Sequence, residues 1–151
     1  MEGESELKKR WFLISATMLW MGLIVSACGG GASAAQSTPL PTFPAVPADY
    51  AGNQPPFDLS SASVITQGKT VYTANCVTCH GDDGKGDGPA AAALNPHPLD
   101  FTSPYAKSLP ADFWFWRVSE GVPGTGMPAW KTTLSTDQIW QVIAYEKTFA
   151  K

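Results

Sequence analysis

Two cysteines and a histidine in residues 76–80 form the motif of this sequence with the clearest chemistry. They occur as Cys76-x-x-Cys79-His80, the spacing at which a c-type haem is attached. Each thiol can add to one vinyl group of haem, and the histidine that follows is placed to ligate the iron. The motif therefore predicts one haem c, covalently bound through Cys76 and Cys79, with His80 as the proximal ligand.

The same residues allow two other interpretations. A structural zinc site needs four Cys or His ligands, and beyond residue 28 the sequence contains only Cys76, Cys79, His80 and His97. Zinc would need all four, although His97 lies between two prolines. A thioredoxin-like redox pair is expected near a β-α-β pattern, which the sequence does not show. The histidine directly after the second cysteine favours haem over both.

Met127 is the candidate for the second axial ligand of the iron. The other three methionines lie within the first 21 residues. Met127 follows Gly124-Thr125-Gly126, whose glycines allow unusual backbone angles, and precedes Pro128, which restricts the chain. Such a loop can hold a thioether against a flat ring, so we expect His80 and Met127 to be the metal ligands. The alternatives are His97 as ligand, an open site, or a core position for Met127.

The N-terminal sequence predicts export and attachment to a membrane. Lys8-Lys9-Arg10 precedes an apolar run over residues 11–25, which is typical of a signal peptide and short for a membrane span of about 20 residues. Val25-Ser26-Ala27-Cys28 resembles the lipobox of bacterial lipoproteins. We therefore expect a lipoprotein signal peptide over residues 1–27 and lipidation of Cys28, or alternatively an uncleaved membrane anchor. Either form of attachment is expected to place the rest of the chain on the outer (periplasmic or extracytoplasmic) face of the bacterial cytoplasmic membrane.

Residues 28–60 have the composition of a tether. Three glycines at its start are followed by six prolines, a spacing that excludes a helix or a central strand. The segment is therefore predicted to be a lipidated N-terminus with a Gly/Pro-rich tether. It carries more apolar side chains than a free linker needs, namely Phe43, Val46, Tyr50 and Phe57. We expect part of this arm to lie against the following domain or a partner subunit.

Helical patterns dominate residues 61–151, which are predicted to form a single all-α domain. Apolar residues at helical spacing predict a helix over residues 64–75 that leads directly into Cys76. A second helix is predicted from Pro110 to Glu120, before Gly121. Ser135 and Gln138 resemble a capping box that opens a last helix ending near Phe149. No alternating strand pattern of useful length occurs.

The helices and motifs together resemble the class I cytochromes c. The resemblance covers nearly all of residues 61–151 and rests on four stretches, Gly68–Gly81, Gly84–Pro89, Gly121–Trp130 and Trp140–Tyr145. It implies the all-α class I cytochrome c fold, a small helical domain wrapped around one haem. It also implies that the first and last helices cross, with Gly68 and Tyr72 against Trp140 and Tyr145.

The resemblance suggests further cofactor-binding residues. The backbone carbonyl of Gly88 or Pro89 is expected to accept a hydrogen bond from the His80 ring and so to fix the ligand. Arg117 and Trp130 are expected to donate hydrogen bonds to the haem propionates.

With both axial positions filled, the iron has no free site for a substrate. We therefore expect one-electron transfer rather than enzyme catalysis, in a respiratory or photosynthetic chain, as a carrier or as a subunit of a quinol-oxidising complex. The leader, tether and domain resemble the monohaem lipoprotein subunit of alternative complex III. The expected partners are the membrane, through Cys28, and redox proteins or respiratory complex subunits, with no small-molecule substrate. A net charge of −3 does not suggest nucleic-acid binding. The alternative is a haem-based enzyme or ligand sensor in which Met127 is labile.

Overall fold

The computed structural model describes residues 43–150, so the predicted leader, Cys28 and the start of the tether lie outside the described residues. The helical segments, in chain order, are α1 (Ala62–Asn75), α2 (Val77–His80), a 3₁₀ turn (Ala91–Ala93), α3 (Pro104–Ser108), α4 (Ala111–Glu120) and α5 (Thr136–Phe149). No strand occurs between residues 43 and 150. The predicted all-α fold is therefore confirmed.

The three long helices are those that the sequence patterns predicted. At the start of α5 both halves of the capping box form, since Ser135 accepts from the Gln138 amide and the Gln138 side chain accepts from the Ser135 amide. Helix α4 ends at Gly121, whose φ of 69° lies in the left-handed region that favours glycine. The short segments α2, α3 and the 3₁₀ turn were not predicted, because three to five residues show no helical period.

Helices α1 and α5 form the most extensive helix-to-helix contact among the described residues. They meet at Gly68, which faces the backbone of Gln141 and the side chain of Tyr145. The rings of Tyr72 and Tyr145 lie edge to face, with their centroids 5.2 Å apart. The expected crossing is present, and the Trp140 ring in addition stacks on Phe115 of α4 at 4.5 Å. Trp140 therefore joins the last helix to α4.

The segment before α1 packs against the helical domain. Phe43 lies edge to face on Phe113, with their centroids 5.4 Å apart. The Gly52 amide donates to the carboxylate of Asp112 (2.9 Å). Apolar side chains of the segment, Val46, Phe57 and Leu59, pack on the buried core. We expected part of the arm to lie against either the following domain or a partner subunit. The structure shows that the segment over residues 43–60 contacts the domain.

None of the helices within residues 43–150 is long and apolar enough to cross a membrane.

Candidate functional site

A cavity of about 470 Å³ lies among the helices, within the size range of about 300–1,000 Å³ that is usual for ligand sites. Its walls are mainly apolar. The chemically distinctive residues on these walls are Cys76, Cys79, His80 and Met127. The structure thus brings the attachment motif, at the end of α1 and in α2, to the same cavity as a loop about 50 residues later. His97 also contributes to the walls, although it is largely exposed.

The His80 imidazole is held by a backbone carbonyl on one side and an aromatic ring on the other. Its Nδ1 atom lies 3.4 Å from the carbonyl oxygen of Leu99, and its ring stacks on Phe101 at 4.5 Å. The carbonyl predicted from sequence was that of Gly88 or Pro89; in the structure the carbonyl that faces Nδ1 is that of Leu99 instead.

Burial and the Leu99 carbonyl together favour one protonation state of the His80 ring. Burial lowers the pKa of the ring, although the Leu99 carbonyl opposes the shift. The neutral form is the one that ligates metals. A hydrogen bond from Nδ1 to the carbonyl leaves Nε2 as the atom with a free lone pair.

The two thiols of the motif are free and half-buried. Burial raises the pKa of Cys76, and the nearby Glu146 carboxylate raises it further. A redox-active pair needs the opposite, a lowered pKa that supplies thiolate. Within residues 43–150, no group of three or more His, Cys, Asp or Glu residues is arranged to hold a metal ion directly. Neither the redox nor the zinc interpretation gains support.

The Met127 loop is fixed by hydrogen bonds within the loop and by close contact with the end of α4. The Val122 amide donates to the Met127 carbonyl (3.1 Å). The Met127 amide donates to the Thr125 hydroxyl (3.2 Å), which in turn donates to the Val122 carbonyl (2.7 Å). At Gly121, an added Cβ atom would lie 2.5 Å from the Met127 carbonyl oxygen. The loop can therefore present the thioether from a rigid backbone.

Two tryptophans and an arginine on the cavity walls carry N–H donors that could bind a carboxylate. Arg117 and Trp130, which were predicted to bind propionates, both line the cavity, and the Arg117 guanidinium lies 3.7 Å from the Trp116 ring centroid. Sequence reasoning missed Trp114. Its side chain also lines the cavity and is 4% exposed, and its buried indole N–H has no hydrogen-bond partner among the described residues. A buried donor without a protein partner is available to an acceptor on a ligand.

Glu146 is a second residue that sequence reasoning missed. It is 3% exposed, lines the cavity, and its Oε2 atom is buried without a hydrogen-bond partner among residues 43–150. Desolvation raises its pKa to about 8. Helical spacing was the sequence signal that could have identified it. Glu146 lies four residues after Val142 and three after Ile143, and residues at these spacings share one helix face.

The residues present fit a haem c. The His80 imidazole, the Met127 thioether and two thiols lie on the walls of one apolar cavity, and these groups match the ligation and attachment chemistry of c-type haem. The unpartnered indole N–H of Trp114 is a suitable donor for a carboxylate of such a ligand.

Comparison with known families agrees with this site. The family model described as cytochrome c oxidase, cbb3-type, subunit III matches residues 63–145. The chain belongs to this family. The match includes the attachment motif, the Met127 loop and the start of α5. This cytochrome c domain has the class I fold predicted from sequence, and membership of the family implies haem c binding and electron transfer by a c-type cytochrome.

The cytochrome c domain is also similar to a solved structure, a chain of the Kuenenia stuttgartiensis reducing HAO-like protein complex. The TM-score is 0.53 and the sequence identity is 26%, over 68% of this chain and 53% of that chain. The present chain therefore matches about half the length of that neighbour. No curated protein matches the sequence.

Proposed function

We propose that this cytochrome transfers single electrons through one covalently attached haem with His80 and Met127 as axial ligands. The observation that carries the proposal is the position of His80 and Met127 on the walls of the same cavity as Cys76 and Cys79. In this arrangement the two thiols form the thioether bonds. When bound, the haem supplies a one-electron iron couple, and histidine and methionine ligation favours a high potential.

The protein's own groups hold the ligands and exclude water. The Leu99 carbonyl orients the His80 ring, and a hydrogen bond to such a carbonyl increases the basicity of a ligating imidazole. The hydrogen bonds of Val122 and Thr125 hold the Met127 backbone. If His80 and Met127 both bind the iron, no coordination site would remain for a substrate, which fits a carrier or a non-catalytic subunit.

Three N–H donors are proposed to bind the haem carboxylates. The Trp114 indole N–H is buried and has no hydrogen-bond partner within residues 43–150, whereas Arg117 and Trp130 lie on the cavity walls nearer to solvent. Charged hydrogen bonds of this kind are stronger than neutral ones.

The setting that we propose is the outer face of the bacterial cytoplasmic membrane. A signal peptide over residues 1–27 and lipidation of Cys28 would anchor the chain, and several acyl chains give stable attachment. Because Val46, Phe57 and Leu59 pack on the domain, the part of the arm that contains them is not available as a free tether. A short tether suits a subunit that delivers electrons within a respiratory assembly, of the kind that oxidises quinol. The neighbouring solved structure is itself part of a protein complex, which supports a role as a complex subunit.

The proposal is tested by replacing the distal ligand. In the full-length haem-loaded protein, Met127→Ala should abolish the methionine-to-iron charge-transfer band of the ferric absorption spectrum. Leu94→Ala is the matched control, since Leu94 lines the same cavity but has no group that ligates iron. The His97→Ala variant should also retain the band.

Two results would count against the assignment. Survival of the band in Met127→Ala would exclude this residue as the ligand. Binding of carbon monoxide by the reduced wild-type protein at neutral pH would instead favour a ligand sensor or enzyme with a labile Met127.

A further inference from the structure

We propose that Glu146 is a redox-linked protonation site, whose carboxylate takes up one proton when the protein accepts an electron and releases it on oxidation. The inference rests on the proposed one-electron function. It gives the domain a second activity, the coupling of a proton to the electron that it carries.

The position of Glu146 is the first support. The residue lies on α5 and is 3% exposed. Its side chain lines the same cavity as Cys76, His80 and Met127, and its Oε2 atom has no hydrogen-bond partner among the described residues. A carboxylate without partners is poorly solvated in such a place, so that a proton is the simplest means of removing its charge.

No cation compensates Glu146 from helix α1. The titratable groups that interact with it from α1 and from the residue that follows α1 are Tyr72 and Cys76. Burial raises the pKa of both, and the Glu146 carboxylate raises it further. The Tyr72 hydroxyl donates to the Gly81 carbonyl (2.6 Å), which leaves no donor for Glu146 from that side. The α1 side of the carboxylate therefore favours the protonated form.

The charged groups of helix α4, which also packs on α5, have other partners. The Arg117 guanidinium lies over the Trp116 ring. Asp112 accepts from the Gly52 amide. Glu120 accepts from the Lys131 ammonium. None of the ion pairs among residues 43–150 includes Glu146.

The neighbours of Glu146 on its own helix also do not offset the negative charge of its carboxylate. Tyr145 packs on the rings of Tyr72 and Phe149, and the Lys147 ammonium lies 5.6 Å from the centroid of the Trp114 ring. Burial lowers the pKa of Lys147, so the low-dielectric surroundings disfavour charge at both positions. The only cause that shifts Glu146 is desolvation, which raises its pKa to about 8.

An electron added within this cavity and a proton added to Glu146 are coupled through charge. The electron comes from the one-electron donor protein and makes the cavity more negative by one unit, which disfavours a second negative charge nearby. The proton comes from solvent and forms the O–H bond of the carboxylic acid. On oxidation the electron leaves to the acceptor protein and the proton returns to solvent, with no other bond changed. Reciprocity requires that protonation in turn increases the affinity for the electron.

The test is the midpoint potential of the full-length haem-loaded protein as a function of pH. In the wild type we expect the potential to fall as pH rises around pH 8. The limit is a tenfold loss of electron affinity per pH unit, which is about 59 mV for a one-electron couple. Glu146→Gln, an uncharged residue of the same shape, should remove this slope and match the low-pH potential of the wild type. Asp137→Asn is the control, because Asp137 is an exposed carboxylate on the same helix, and it should keep the slope.

A slope of equal size in Glu146→Gln would overturn the inference and assign the proton to another group, such as a haem carboxylate. A flat profile in a wild type that still titrates with one electron would also overturn it, while leaving the proposed function intact. Absence of any one-electron titration in the wild type would overturn both.

If the Glu146→Gln variant does not fold, a measurement on the wild type alone can test the same inference. Infrared difference spectra between the oxidised and reduced protein near pH 8 should show the loss of a carboxylate band on reduction. A band of a protonated, buried carboxylic acid should appear with it and shift in heavy water. Absence of this pair of bands would overturn the inference.

Discussion

Gly68 on α1 and Gln141 on α5 approach so closely that an added Cβ atom at residue 68 would lie 1.9 Å from the Gln141 carbonyl oxygen. This is the point where the first and last long helices cross. Both helices also supply residues to the cavity, Cys76 at the end of α1 and Glu146 on α5. The crossing therefore sets the position of the haem attachment motif relative to the last helix.

Gly68→Ala should destabilise the protein. Helix propensity alone predicts that alanine stabilises the interior of a helix by about 1 kcal/mol relative to glycine. The contact with the Gln141 backbone predicts the opposite sign, a loss of at least about 1–3 kcal/mol from overpacking. Urea unfolding of the haem-loaded protein decides between them, with Thr66→Ala, at an exposed position of the same helix, as the control. A stabilised Gly68→Ala protein would show that the helices separate at little cost.

Trp114→Phe should weaken the domain more than Trp116→Phe does. The Trp114 indole N–H is buried and unpartnered in the described residues, and we expect it to donate to a haem carboxylate. Loss of a hydrogen bond to a charged group costs about 1.5–3 kcal/mol. The measurement is the free energy of unfolding of the two haem-loaded variants. Equal losses would mean that the Trp114 N–H has no acceptor in the haem-loaded protein.

Asp112→Ala should loosen the segment before α1. The Asp112 carboxylate accepts from the Gly52 amide, and an exposed hydrogen bond of this kind contributes about 1 kcal/mol. Amide hydrogen exchange at Gly52 should become several-fold faster in the variant, whereas Asp137→Ala should leave it unchanged. Fast exchange at Gly52 already in the wild type would contradict the packing of this segment on the domain.

The stability of the protein should depend on pH through Glu146. Burial raises the pKa of this carboxyl from 4.5 to about 8, so the folded state binds the proton more tightly than the unfolded state. The contribution is therefore complete below about pH 4.5 and is lost as pH rises to about 8, with a slope of at most about 1.4 kcal/mol per pH unit. Unfolding free energies of wild type and Glu146→Gln, measured across this range, should diverge in favour of the variant. A constant difference would show that Glu146 is not desolvated in the haem-loaded protein.

The sequence by itself determined the parts of the protein that depend on residues close together in the chain. The attachment motif is a five-residue pattern, the capping box of α5 spans four residues, and the long helices follow from the spacing of apolar residues within single segments. Met127 was identified because no other methionine occurs beyond residue 21. The bonding of Met127 and His80 to iron stays a prediction, while the structure places both on one cavity.

Only the tertiary structure decided which groups surround these residues. The carbonyl that faces the His80 ring comes from Leu99, 19 residues later, and the contact between Gly52 and Asp112 spans 60 residues. Such contacts depend on the path of loops and on the angle between helices, which local patterns do not encode. Glu146 shows the reason most clearly. Its place on the buried face of α5 follows from helical spacing, but whether its Oε2 atom finds a hydrogen-bond partner depends on every element packed around it, and none of the described residues provides one.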